Sequence, residues 1–109
     1  MAKKESTEES KQVVTMAFKT SDPLHRNRLS EDEKFKLATQ ATKALGGITL
    51  TENVGGWKEK DGTLDIEYSY TLLFYGPTAD DIEAWATALA KTYGQKAYYL
   101  NGEEIPVAD

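Results

Sequence analysis

The side chains best equipped for chemistry in this sequence stand together at His25, Arg26, Asn27 and Arg28. Arginine forks match the geometry of phosphate and carboxylate oxygens, and a neighbouring helix start offers free backbone N–H groups. His25, Arg26 and Arg28 are therefore the candidate ligand-binding residues, for a small anionic or nucleotide ligand. The competing reading is a solvated loop whose arginines pair with Glu31 or Asp32. Other chemistry is thinly supplied. There is one histidine and no cysteine, which excludes thiolate catalysis and the usual nitrogen and sulfur zinc sites. No glycine-flanked serine elbow is present. Glu52, Asp65 and Glu67 are the acids that could form a carboxylate pair. Asp65 and Glu67, however, alternate along what reads as the wet side of a strand, where solvated acids are expected. Asp61-Gly62 with Glu59 and Asp65 lacks the ligand spacing of a calcium loop. No cofactor or metal is called for.

Those residues must be positioned by a scaffold, and its clearest element runs from Leu64 to Phe74. Leu64, Ile66, Tyr68, Tyr70, Leu72 and Phe74 alternate with mostly polar residues. A period of two over this length describes a long strand with one buried and one wet face. Before it, residues 12–20 read as a strand with Val14, Met16 and Phe18 in phase. Residues 21–29, with Pro23, read as a loop. Ser30 and Glu33 form a capping box that opens a helix. Its inward stripe is Phe35, Ala38, Ala41, Thr42 and Leu45, with Leu37 beside it, and Gly46 or Gly47 ends it. Residues 47–54 return as a strand with Ile48, Leu50 and Val54 in phase. Asp61-Gly62 signals a two-residue hairpin turn. That turn puts Trp57 opposite Ile66 and leaves Val54 out of phase by one residue. A bulge at Gly55-Gly56 is expected to correct this and to turn both Val54 and Trp57 towards the core.

Gly76-Pro77 ends the long strand. Thr78 and Asp81 cap a second helix with the stripe Ile82, Trp85, Ala86, Leu89 and Tyr93, closed by Gly94. Residues 95–100 read as the last main strand. Asn101-Gly102 turns into a short return strand over 103–107, confined to an edge by Pro106. The order predicts an α+β, ferredoxin-like split βαβ fold (βαββαβ), with an antiparallel sheet, two helices on one face and an extra C-terminal edge strand. Right-handed crossovers place the first and third strands centrally. Residues 1–11 read as a disordered polar tail and 12–109 as a single domain.

Charge narrows the partners. The net charge is −5, and residues 30–109 carry seven lysines against fourteen acids. An acidic body repels phosphate backbones, so no nucleic-acid partner is expected. No stretch approaches the length of a spanning helix, so no membrane is expected either, and the chain reads as soluble and cytoplasmic. Val13, Leu73, Tyr75 and Tyr98 are expected to form an apolar interaction surface on the face left uncovered by helices. This favours a protein partner or self-association as a dimer. The expectation is a non-enzymatic binding protein, such as a phage-type inhibitor or modulator of a host protein. The alternatives are the ligand site at His25–Arg28 and, behind it, a weak phosphate hydrolase.

Residues 13–100 also resemble a group of small bacterial and phage-type proteins of unknown function. The resemblance rests on GGITLTENVGGWKEKDG leading into the long strand, the capped helix after it, and the closing YGQKAYYL. It implies the ferredoxin-like fold and brings no catalytic residues. The arginine loop on such a fold also resembles that of acylphosphatases. This sequence departs from them in lacking a glycine-rich phosphate cradle and a central-strand asparagine.

Overall fold

The computed structural model describes residues 11–18 and 28–108. Seven elements follow in order: β1 (Lys11–Met16), α1 (Glu31–Leu45), β2 (Thr49–Lys58), β3 (Leu64–Tyr75), α2 (Ala79–Thr92), β4 (Ala97–Leu100) and β5 (Glu103–Pro106). The strands form one antiparallel sheet in the order β2-β3-β1-β4-β5. The α+β arrangement expected from the sequence is therefore present. The twelve-residue strand lies inside the sheet, beside β1.

The alternation of β3 becomes burial where helices cover it. Tyr70, Leu72 and Phe74 are buried, together with Val14 and Met16 of β1 and Tyr98 and Leu100 of β4. Leu37 and Ala41 of α1 and Ile82, Ala86 and Ala90 of α2 close over them, with Phe18 and Leu29 completing the core. Phe18 meets Tyr70 and Tyr93 edge to face, and Phe74 meets Trp85 in the same way, a favoured geometry for aromatic rings. Both helices start on complete capping boxes, at Ser30 with Glu33 and at Thr78 with Asp81. Gly46 closes α1 in the left-handed conformation at φ 94°.

Three expectations change. The inward face of α1 is centred on Leu37 and Ala41, while Phe35 is 75% exposed and Thr42 is also on the outside. Phe35 lies two positions from Leu37, which is about 200° around a helix. The expected bulge is absent: β2 pairs with β3 without interruption from Thr49↔Leu73 to Lys58↔Leu64. The hairpin loop supplies the correction instead. Glu59 donates to the Thr63 carbonyl, leaving Lys60, Asp61 and Gly62 as a three-residue loop, with Gly62 at φ 91°. One more loop residue than the expected turn shifts the register by one. That brings Val54 opposite Tyr68 on the helix side and sends Trp57, opposite Asp65, to the other face.

The far end of the β2–β3 hairpin extends past the helices. Val54, Leu64 and Ile66 belong to the helix side, yet each is more than half exposed. At the opposite border of the sheet, Asn101 takes a positive φ of 53°. It continues the pairing of β4 with β1: its backbone N–H donates to the Val13 carbonyl, its Oδ1 accepts from the Val13 N–H, and its Nδ2 donates to Gln12.

Candidate functional site

The β2 strand reads Leu50, Glu52, Val54 along its helix side, so an acid occupies a core-phase position. An unpaired carboxylate there would be costly, because burial removes its hydration. The fold answers with three donors. The Tyr70 hydroxyl donates to Glu52 Oε2 at 2.7 Å, Arg28 Nε reaches the same oxygen at 3.4 Å, and Lys34 Nζ stands 3.6 Å away. Among the described residues, Oε1 takes no hydrogen bond. Tyr70 is fully buried and its oxygen also accepts from the Leu29 backbone N–H at 2.8 Å. One phenol thus fixes both the start of the segment leading into α1 and the carboxylate on β2. Arg28 lies over the Tyr68 ring at 5.1 Å, within cation–π range. Lys34 is shared with Glu31 at 2.7 Å.

The electrostatics follow from these contacts. Burial raises the Glu52 carboxyl, but the Tyr70 hydroxyl, Arg28 and Lys34 outweigh it and hold the group below its ordinary value. The Tyr70 phenol is pushed well above the ordinary tyrosine value, first by burial and then by its bond to Glu52. Lys34 is raised, chiefly by its bond to Glu31. Near neutral pH the cluster is an ionised carboxylate, a neutral phenol and two cations. Such a carboxylate is a weak base. Its use is as a fixed negative charge held beside an arginine fork.

The residues singled out from the sequence divide. Arg28 joins this cluster, with its Nε bonded to Glu52. His25 and Arg26 lie outside the described residues. Glu52 and the pair Asp65 and Glu67 are on opposite faces of the sheet, so no carboxylate pair forms between them. Among the described residues, no group of three or more His, Asp or Glu side chains is placed to hold a metal ion. Val13 and Leu73 are direct partners on the uncovered face. Tyr75 is 58% exposed at its end and lines a shallow cleft of about 520 Å³ with Leu45, Pro77 and Asp81. Tyr98 departs from expectation. It is buried on the helix side, donating to the Glu83 carbonyl and bonded to Thr87, and Tyr99 takes the uncovered face. A four-residue strand with adjacent tyrosines offers no alternation from which to choose between them.

Tyr70 was legible only as a core residue, and Glu52 only as an acid of no assigned face. The available signal was the phase of β2, in which Glu52 falls between Leu50 and Val54.

Comparison with known proteins places the fold. No family model matches the chain, and no curated protein matches it in sequence. Two solved structures match it along nearly its whole length. One is a phage SAM lyase in complex with S-methyl-5′-thioadenosine, with a TM-score of 0.61, 13% identity, and coverage of 97% of this chain and 95% of that one. The other is a phage SAM lyase in the apo state, with a TM-score of 0.56, 11% identity, and coverage of 99% and 94%. The neighbours are phage proteins, in keeping with the phage-type resemblance. They are also enzymes, and this overturns the expectation of a non-enzymatic binding protein. No helix among the described residues is long and apolar enough to cross a membrane.

Proposed function

We propose that this chain is a lyase acting on S-adenosylmethionine, with Glu52, Arg28 and Tyr70 at its site. The observation that carries the reading is the match along nearly the whole chain to a phage SAM lyase holding S-methyl-5′-thioadenosine. That nucleoside is S-adenosylmethionine without its four-carbon amino-acid arm. The bond broken therefore joins the sulfonium sulfur to the arm. The sulfur keeps the bonding pair and becomes a neutral thioether, while the arm's own carboxylate forms a C–O bond to the carbon it leaves and closes a lactone, so no second substrate is needed and positive charge vanishes from the sulfur as the bond opens.

The cluster suits such a substrate. The Glu52 carboxylate, ionised and with Oε1 open among the described residues, can hold the substrate's ammonium charge, which persists while the sulfonium charge is lost. Arg28 can present its terminal nitrogens to the substrate carboxylate while Nε keeps its bond to Glu52. Because Glu52 is held below its ordinary value, its role is charge placement rather than proton abstraction. Tyr70 is a positioning residue: it fixes Oε2 and does not itself face the substrate. A chain without cysteine and a small metabolite as substrate fit a cytoplasmic protein.

The test is incubation of the purified chain with S-adenosylmethionine and chromatographic measurement of S-methyl-5′-thioadenosine against a buffer control. Glu52→Gln keeps the shape and removes the charge, and should lower kcat/KM by about 100-fold, the order expected when one partner of a hydrogen-bonded charge pair with the substrate is lost. Circular dichroism establishes that the variant is folded. Product formation by the wild type no faster than in buffer refutes the activity. A folded Glu52→Gln variant with the wild-type kcat/KM refutes the site.

A further inference from the structure

The turn after β4 holds a reactive pair that the proposed activity does not use. Of the three asparagines, Asn27, Asn53 and Asn101, only Asn101 precedes a glycine. The backbone nitrogen of the residue after an asparagine can attack its side-chain amide at Cγ. A branched side chain on that residue, such as Val54 after Asn53, shields the nitrogen, and glycine leaves it open. Asn101 and Gly102 form the exposed loop between β4 and β5, at φ 53° and 85°, with Leu100 paired to Glu103 across it. Among the described residues the Gly102 N–H donates to no backbone carbonyl, so the nucleophile stands outside the ladder. The amide it would attack is held. Its Oδ1 accepts from the Val13 N–H at 2.8 Å, and its Nδ2 donates to Gln12 Oε1 at 2.7 Å. Gln12 is itself buried. Asp61-Gly62 is the weaker candidate for the same ring closure, because a carboxyl must be protonated to lose water. The Thr63 hydroxyl and backbone N–H hold that of Asp61 below its ordinary value.

We propose that Asn101 is a site of spontaneous covalent modification, closing a cyclic imide with Gly102 and opening to aspartate or isoaspartate at a rate set by its clamp on β1. The Gly102 nitrogen bonds to Asn101 Cγ and gives up its proton. The Cγ–Nδ2 bond breaks, and Nδ2 leaves with that proton as ammonia. Water then opens the imide. Cleavage between Cγ and the Gly102 nitrogen restores the ordinary main chain with aspartate at this position. Cleavage between the main-chain carbonyl carbon and that nitrogen routes the chain through the side chain, as isoaspartate. Water is the only co-reactant. Nδ2 must leave Gln12 before it can depart, so the reaction runs through opening of the clamp. The two products differ in consequence. Aspartate keeps an acceptor for the Val13 N–H but sets a carboxylate oxygen against Gln12 Oε1. Isoaspartate adds a methylene to the main chain inside the turn, so Leu100 and Glu103 no longer face each other and β5 loses its register. The proposal does not rest on the lyase reading.

Peptide mapping by mass spectrometry measures the conversion of amide to acid. Trypsin releases Asn101 within residues 97–109 and Asn53 within residues 44–58, so one digest carries both the site and its control. In the folded wild type, held in mildly alkaline buffer, Asn101 should convert at least about tenfold faster than Asn53, whose neighbour is branched. Gln12→Met keeps the bulk and removes the acceptor. It should speed conversion about fivefold, the factor that one neutral hydrogen bond makes in an opening equilibrium. The wild type unfolded in guanidinium should react faster still. Conversion at Asn101 no faster than at Asn53 overturns the site. A Gln12→Met variant that is folded by circular dichroism and reacts at the wild-type rate overturns the clamp. So does one common rate for the folded and the unfolded wild type, a reading that stands whether or not Gln12→Met folds.

Discussion

Replacing Tyr70 with phenylalanine removes one oxygen from the centre of the molecule and keeps the ring that packs against Phe18. Two bonds disappear with it. The Leu29 N–H loses its acceptor at 2.8 Å, and Glu52 loses its shortest donor at 2.7 Å. A buried donor left without a partner costs about 1–3 kcal/mol, and a hydrogen bond to a charged group is worth about 1.5–3 kcal/mol. Removing the hydroxyl also removes the cost of burying it, about 1–3 kcal/mol. The net destabilisation expected is about 1.5–3 kcal/mol near neutral pH. For a domain of this size that lowers Tm by about 8–15 °C. The pH dependence separates the two bonds. Glu52 is held below its ordinary carboxylate value in the folded chain. Its contribution is therefore present above the ordinary, unfolded value and is lost as pH falls through the lowered folded one. Tyr70→Phe weakens that depression, so the gap between variant and wild type should narrow in acid while the Leu29 part persists. Thermal melts of both proteins across the acid range measure this. A loss under about 0.5 kcal/mol near neutral pH would be below even the low end for a single buried bond and would refute the reasoning. A gap that stays constant into acid would refute the assignment to an ionised Glu52.

Further outcomes follow from particular residues. Asn101→Ala removes two side-chain bonds to β1 and leaves alanine at φ 53°, and chemical denaturation should show a loss of about 2–3 kcal/mol. The hairpin glycines should respond differently. Gly62→Ala forces a side chain onto φ 91° and should cost about 1–2 kcal/mol. Gly56→Ala meets the Ile66 Cδ1 at 2.6 Å, but Ile66 is 55% exposed and its end can swing away, so the change in denaturation free energy should stay under about 1 kcal/mol. Ser30→Ala removes the acceptor for the Glu33 N–H and should lower stability by about 1 kcal/mol in the same assay.

Local patterns carried most of the architecture. The period of two in β3, the two capping boxes and the breaks at Gly46, Gly76 and Gly94 are short-range signals, each read from neighbouring residues. They suffice to order the elements and to place β1 and β3 centrally. The errors arose where one residue of register decides the outcome. Asp61-Gly62 fits both a two-residue and a three-residue loop, and only the pairing of ten residues on either side settles which forms. The side of the sheet taken by Trp57 depends on that choice. Tyr98 and Tyr99 are chemically equivalent to a pattern, and α2 with its Thr87 hydroxyl selects the one that is buried.

The sequence by itself determined the elements, their capping and the sheet order, because these depend on chain-local conformational preferences and on the handedness of connections. Tertiary structure alone decided the candidate site. Arg28, Glu52 and Tyr70 come from a loop and two strands, and no spacing in the chain announces their meeting. Glu52 lies at a core-phase position because the loop length of the hairpin fixes the register. It is ionised there because Tyr70, Arg28 and Lys34 converge on its oxygen, and that convergence exists only once α1 is packed across β2.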